Sequence, residues 1–122
     1  MQHHGALAYQ NTAKAVESPR DREAALLIKA AAGLQIVKED WPVEHSRLNH
    51  ALTFNRKLWT IFMASVTRED SQLGKDVRQN ITNLGLYILN ETREILLDPV
   101  APARLDTLIN INRQLAAGLR GS

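Results

Sequence analysis

Two amphipathic helical stripes, each interrupted by one asparagine, constrain the fold of this chain more than any other feature. Apolar residues at helical spacing form both stripes: Leu48, Leu52, Trp59, Phe62 and Val66 in one, and Leu105, Leu108, Ile109, Leu115 and Leu119 in the other. Asn55 interrupts the first stripe and Asn112 the second, and an arginine follows each, Arg56 and Arg113. A buried amide that lacks a hydrogen bond costs about 1–3 kcal/mol. The two asparagine–arginine pairs therefore either link helices inside the protein or face a partner.

The first alternative makes Asn55 and Asn112 buried polar links that set the register of neighbouring helices, and physical reasoning favours it. In the second, the amides and the adjacent guanidinium groups bind the backbone of another protein. Trp59 shares a stripe with aliphatic residues, so core packing is its default role. Tyr9 lies near the N-terminus, and exposed tyrosines are enriched at interface hot spots.

The hydrophobic periodicity predicts an all-α fold, a single-domain bundle of four main helices with a short fifth helix added at residues 6–16. The main helices are predicted at residues 19–38, at 43–66, from Leu73 to the break at Asp98-Pro99, and at 102–119. With 122 residues the chain has the length of one domain. Residues 1–5 are predicted to be a flexible tail, and residues 6–122 a single helical domain.

Prolines and caps define the predicted helix boundaries. Ser18-Pro19 is a strong start signal, because serine accepts hydrogen bonds from the first free N–H groups and proline fits the first helical position. Pro42 disfavours helix for the residue before it, which separates the first two main helices. Pro99 and Pro102 together end one helix before the next begins.

Composition argues against several classes of function. Lys and Arg total 15 against 13 for Asp and Glu, and the basic residues are spread over all helices, so direct nucleic-acid binding is disfavoured. The chain has no cysteine, and His45 and His50 have the wrong spacing for a zinc site on a helix. No nucleophile signature or phosphate-binding loop is present. The sequence therefore predicts a soluble, intracellular non-enzyme with no catalytic residue, cofactor or metal, and no membrane-spanning segment.

A set of short motifs in a fixed order resembles the flagellar biosynthesis regulator FlaF family of alphaproteobacteria. The motifs are Ala8-Tyr9-Gln10, Glu17-Ser18-Pro19-Arg20, Asn55-Arg56-Lys57-Leu58-Trp59 with Phe62, and Leu105 to Arg113 running into Gly118-Leu119. Two segments depart from the family pattern, Gln72-Leu73-Gly74-Lys75 and Asn90-Glu91-Thr92. The matching motifs span nearly the whole chain.

The resemblance implies a cytoplasmic, non-enzymatic chaperone that binds flagellin and couples its synthesis and export to flagellum assembly. It also implies FlbT, which restrains flagellin synthesis, as a second partner. By motif position, the residues expected to bind the partner are Tyr9, Asn55, Arg56, Trp59, Asn112 and Arg113. Two alternatives stay open: an RNA-associated post-transcriptional regulator of flagellin expression, which needs a continuous basic face, and a bundle that only oligomerises.

Overall fold

Four helices form the bundle that the computed structural model describes, over residues 18–68, 71, 73–99 and 101–121. In chain order they are α1 (Pro19–Glu39), α2 (His45–Val66), α3 (Lys75–Leu97) and α4 (Arg104–Arg120). The described residues contain no strand, and the predicted all-α fold class is confirmed. The predicted tail at residues 1–5 and short helix at residues 6–16 lie outside the described residues.

A side-chain cap defines the start of α1, whereas the other three helices begin without one. Ser18 Oγ accepts a hydrogen bond from the Asp21 N–H at 3.1 Å, so α1 begins where the sequence predicts. Helix α2 begins at His45 rather than at residue 43, because the backbone of Glu44 is still extended (φ −61°, ψ 141°). Helix α4 begins at Arg104 rather than at residue 102, since Pro102 lies in the turn before it.

The four helices are not packed equally. Helix α1 packs most extensively against α4 and also against α2, while α2 packs against α3 and the contact between α3 and α4 is small. Lys38 near the end of α1 pairs with Asp106 in the first turn of α4 at 2.5 Å, so these two helices run antiparallel. Arg104 pairs with Glu91 at 2.7 Å and joins α4 to α3 near their connecting loop.

Both interrupted stripes face the core, as the periodicity predicts. The largest fully buried apolar side chains are Leu27, Leu34, Leu48, Leu52, Trp59, Ile81, Ile88, Ile95, Leu105, Leu108 and Ile109. Leu115 of the second stripe is less buried than the periodicity predicts, and so are two apolar residues at helical spacing outside the two stripes, Ile28 on α1 and Val77 on α3. Ile28 is exposed because it lies about 100° around α1 from Leu27. Val77 is exposed and Leu115 half-buried, and they belong to α3 and α4, two helices whose contact with each other is small.

Candidate functional site

A buried cluster of two amides and an indole joins three helices at the centre of the bundle. Trp59 Nε1 donates to Asn112 Oδ1 at 2.9 Å, and Asn112 Nδ2 donates to Asn55 Oδ1 at 2.7 Å. Asn112 Nδ2 also lies 3.3 Å from the Leu27 carbonyl oxygen, which accepts from it. The side chains of Asn55, Trp59 and Asn112 are all 0% exposed. We call these three residues and the Leu27 carbonyl the amide cluster; it links α1, α2 and α4.

This geometry agrees with the first of the two alternatives for Asn55 and Asn112, in which the two amides link neighbouring helices inside the protein. In the described fold a partner reaches none of the three buried side chains unless the helices separate. Their role as partner contacts stays a prediction. The amide cluster leaves one donor unused, because Asn55 Nδ2 is buried and has no hydrogen-bond partner within the described structure.

Replacing Asn55 by alanine is expected to lower the free energy of unfolding by about 1–2 kcal/mol. The change removes one bond, from Asn112 Nδ2, but Asn112 keeps its contact with the Leu27 carbonyl, and the unpaired Asn55 Nδ2 is removed too. Urea denaturation of Asn55→Ala beside Asn49→Ala, an exposed position on the same helix, measures this difference. Unchanged stability combined with weaker binding of a partner protein would make Asn55 an interface residue instead.

The other sequence-predicted contact residues do not join the amide cluster. Arg56 and Arg113 follow the two asparagines and have exposed side chains, with no ion pair to another described residue. Both guanidinium groups are therefore accessible to a partner, although neither lines a main cavity of the described bundle. Tyr9 lies outside the described residues.

An apolar groove between α1 and α2 is a concave surface that the sequence does not predict. Its volume is about 420 Å³. The groove is lined by Lys29, Ala30, Gly33, Ile36, Val37, Ser46, Arg47, His50, Ala51 and Phe54. Small residues on both helices create the space, and Ile36 on the wall remains 54% exposed. The sequence contains one partial signal of the groove. Ala30 and Gly33 lie on one face of α1, one turn before Ile36, which the core does not cover.

The charged groups that line this groove are all cationic. The Lys29 ammonium lies 5.6 Å from the centre of the Phe54 ring, so a cation–π contact bridges the two walls. Arg47 Nη2 lies 2.8 Å from Asp40 Oδ2, outside the groove, and His50 is exposed one turn further along α2. No Asp or Glu lines the groove. The arrangement can hold an apolar segment and attract carboxylates at its rim.

The residues that line the groove include one hydroxyl group, on Ser46, and one imidazole, on His50 one turn further along α2, but no carboxylate. Elsewhere in the described part of the chain, no three histidine or acidic side chains come together as a metal site. None of the described helices is long and apolar enough to span a bilayer.

A second cavity, of about 690 Å³, lies at the end of the bundle where α1 begins. Ser18, Glu23, Ser65, Leu73, Leu119 and Arg120 are among its lining residues. The pKa of the Glu23 carboxyl is raised above its ordinary value, because desolvation by burial outweighs the attraction of Arg20 and Arg22 for the carboxylate. Folding therefore destabilises the ionised form of Glu23 relative to its form in the unfolded chain.

We expect Glu23→Gln to raise the melting temperature modestly at pH 7 and to change it little at pH 4. A carboxyl whose pKa is raised on folding adds stability below its unfolded pKa, near 4.5, and that stability is lost as the pH rises through the folded pKa. Thermal melts followed by circular dichroism between pH 4 and pH 7 test this. A lower melting temperature at pH 7 would mean that Arg20 and Arg22 stabilise the carboxylate more than burial penalises it.

Comparison with known proteins gives one family match. The model of a family described as flagellar protein FlaF matches residues 6–119. The matched range includes all of α1, α2 and α3, the amide cluster and the groove. No curated protein and no solved structure matches the chain.

Proposed function

The chain belongs to the FlaF family of flagellar proteins, and from this premise we propose that it is a flagellin-binding secretion chaperone. In this role it binds flagellin in the cytoplasm, without catalysing a reaction, and couples flagellin synthesis and export to assembly of the flagellum. The terminal segments of flagellin are amphipathic helices that form coiled coils only in the filament. Before export their apolar faces need a cover.

The groove between α1 and α2 is the observation that supports this function. Its volume of about 420 Å³ lies within the usual range for binding pockets. A groove between two helices accepts the apolar face of a third helix, a common mode of peptide recognition. Ile36 and Phe54 provide apolar surface on opposite walls, and Ala30 and Ala51 keep the floor open. We infer that a terminal helix of flagellin lies in this groove.

Calorimetric titration with flagellin at several temperatures and two salt concentrations tests the function. Saturable binding with a negative heat-capacity change is expected, because the groove buries apolar surface. The matched control is flagellin that lacks its terminal helices, which should give no binding heat. Absence of heat with intact flagellin would contradict direct flagellin binding.

Further binding experiments test the second partner and the RNA-associated alternative drawn from the sequence. FlbT is the second partner that we propose, and adding it to the flagellin complex in gel filtration should give a three-component peak. Binding to flagellin message that weakens steeply with salt would favour the RNA-associated regulator instead. The cationic residues found together in the groove alternate with apolar ones, which suits an apolar helix better than a nucleic-acid backbone.

A further inference from the structure

The rim of the α1–α2 groove carries charge of one sign in a chain whose total charge is nearly balanced. Lys and Arg exceed Asp and Glu by only 15 to 13 in the whole sequence. Among the groove-lining residues, in contrast, Lys29, Arg47 and His50 are basic and none is acidic. The lining of the groove is therefore more basic than the composition of the chain implies, with Asp40, outside the lining, as the ion-pair partner of Arg47.

The two permanent cations occupy defined levels along the groove. The Lys29 ammonium lies over the Phe54 ring, which places it at the level of that residue of α2. Arg47 lies seven residues before Phe54 on the same helix. With a rise of 1.5 Å per residue, the backbones of Arg47 and Phe54 are about 10.5 Å apart along α2, which is close to two helical turns.

Neither cation is fully engaged by the described bundle. The ring face of Phe54 holds the Lys29 ammonium without neutralising it. Arg47 donates through Nη2 to Asp40, and a guanidinium has further N–H donors in the same plane. The Asp40 contact thus orients the Arg47 side chain while leaving it able to bind a second carboxylate.

Building on the proposed function, we propose that the groove selects an amphipathic helix that bears carboxylates beside its apolar stripe, two turns apart. One carboxylate pairs with Lys29 and the other with Arg47, while the apolar side chains enter between Ile36 and Phe54. Ion pairs at the rim of an interface add little affinity, but like charges in the same places discriminate strongly against a wrong partner. The charges set which helix binds, and the apolar floor supplies the affinity.

Three synthetic helical peptides with one common apolar stripe test this selection. Their two flanking positions, seven residues apart, carry Glu in the first peptide, Gln in the second and Lys in the third. We expect the Glu peptide to bind at least tenfold more tightly than the Lys peptide, with the Gln peptide between them. The difference should shrink as salt is raised, because both ion pairs are exposed.

The second part of the test reverses the two charges in the protein. The variant Lys29→Glu/Arg47→Glu should prefer the Lys peptide. The control Lys75→Glu/Arg93→Glu changes the net charge equally, at exposed positions on α3 outside the groove, and should keep the original order. Melting curves of both variants confirm that each is folded.

Each outcome separates charge selection from flagellin binding itself. Equal affinity for all three peptides would overturn the selection of carboxylates and leave the groove as a docking site for flagellin. If no peptide bound while intact flagellin did, the selection would also be overturned, and flagellin would bind elsewhere on the bundle. A control variant that reversed the peptide order as well would attribute the effect to net charge, and would overturn the assignment to Lys29 and Arg47.

Discussion

Replacing Asn112 by alanine is expected to lower the free energy of unfolding by about 3–4 kcal/mol, a larger loss than Asn55→Ala should cause. Asn112 accepts from Trp59 and donates to both Asn55 and the Leu27 carbonyl. Removing the Asn112 amide leaves the Trp59 Nε1–H group and Asn55 Oδ1 buried without a hydrogen-bond partner. Truncation also opens a cavity at a position that is 0% exposed.

Urea denaturation of the full chain measures this loss, with Asn110→Ala as the matched control. Asn110 lies on the same helix with an exposed side chain, so the same chemical change there should alter stability by no more than about 0.5 kcal/mol. Asn112→Ala should also cost more than Asn55→Ala, because Asn112 makes three hydrogen bonds in the amide cluster and Asn55 makes one. Equal losses at Asn110 and Asn112 would show that the amide cluster contributes little.

Much of the amide cluster was predictable from periodicity, because a polar residue on an otherwise apolar helical stripe is visible in sequence. Asn55 and Asn112 were identified in this way, and Trp59 was assigned to the same stripe. The sequence did not show that the two amides bond to each other, or that Trp59 donates to one of them. Those contacts depend on how α1, α2 and α4 are arranged, and no pattern within a single helix encodes the arrangement.

The groove was not predictable for a related reason. Ala30, Gly33 and Ala51 are ordinary helix residues in a linear sequence, and they form a groove only because α1 and α2 place them opposite one another. The exposed Ile36 gave a partial signal, since a large apolar side chain left uncovered beside small residues often marks a binding surface. The predicted starts of α2 and α4 are each two residues too early. Glu44 and Pro102 lie directly before these helices, next to helix-forming residues, but neither is part of a helix.

The amide cluster and the groove are connected through the same two helices. The Leu27 carbonyl on α1 lies one turn before Ala30, and Asn55 on α2 follows Phe54 directly, so the cluster binds both helices at one end of the groove. Hydrogen bonds through Asn112 hold α1 and α2 at a fixed separation. A groove held open in this way is pre-organised, and a binding helix then loses less free energy in ordering the protein. Under the proposed function, Asn55 and Asn112 would support partner binding from inside the bundle without contacting the partner.

Gly33→Leu is expected to lower the affinity for flagellin at least tenfold without loss of stability. A Cβ built at Gly33 meets no atom within 4 Å, and Gly33 lines the groove, so we expect a leucine side chain there to occupy space in the groove rather than to displace the core. Leucine in place of glycine inside a helix should raise stability by up to about 1 kcal/mol. Most variants that weaken binding also weaken folding, whereas Gly33→Leu is expected to separate the two properties.

Two controls make the result of Gly33→Leu specific to the groove. Gly118→Leu makes the same change on α4, where an added Cβ also meets nothing within 4 Å, and it should leave flagellin binding intact. Gly33→Ala adds a single methyl group and should keep most of the affinity, because little of the groove is filled. Calorimetry with flagellin measures binding, and thermal melts measure folding. If Gly33→Leu bound flagellin as tightly as the unmodified chain, flagellin would not occupy the α1–α2 groove, and a site near Arg56 or Arg113 would be the next to test.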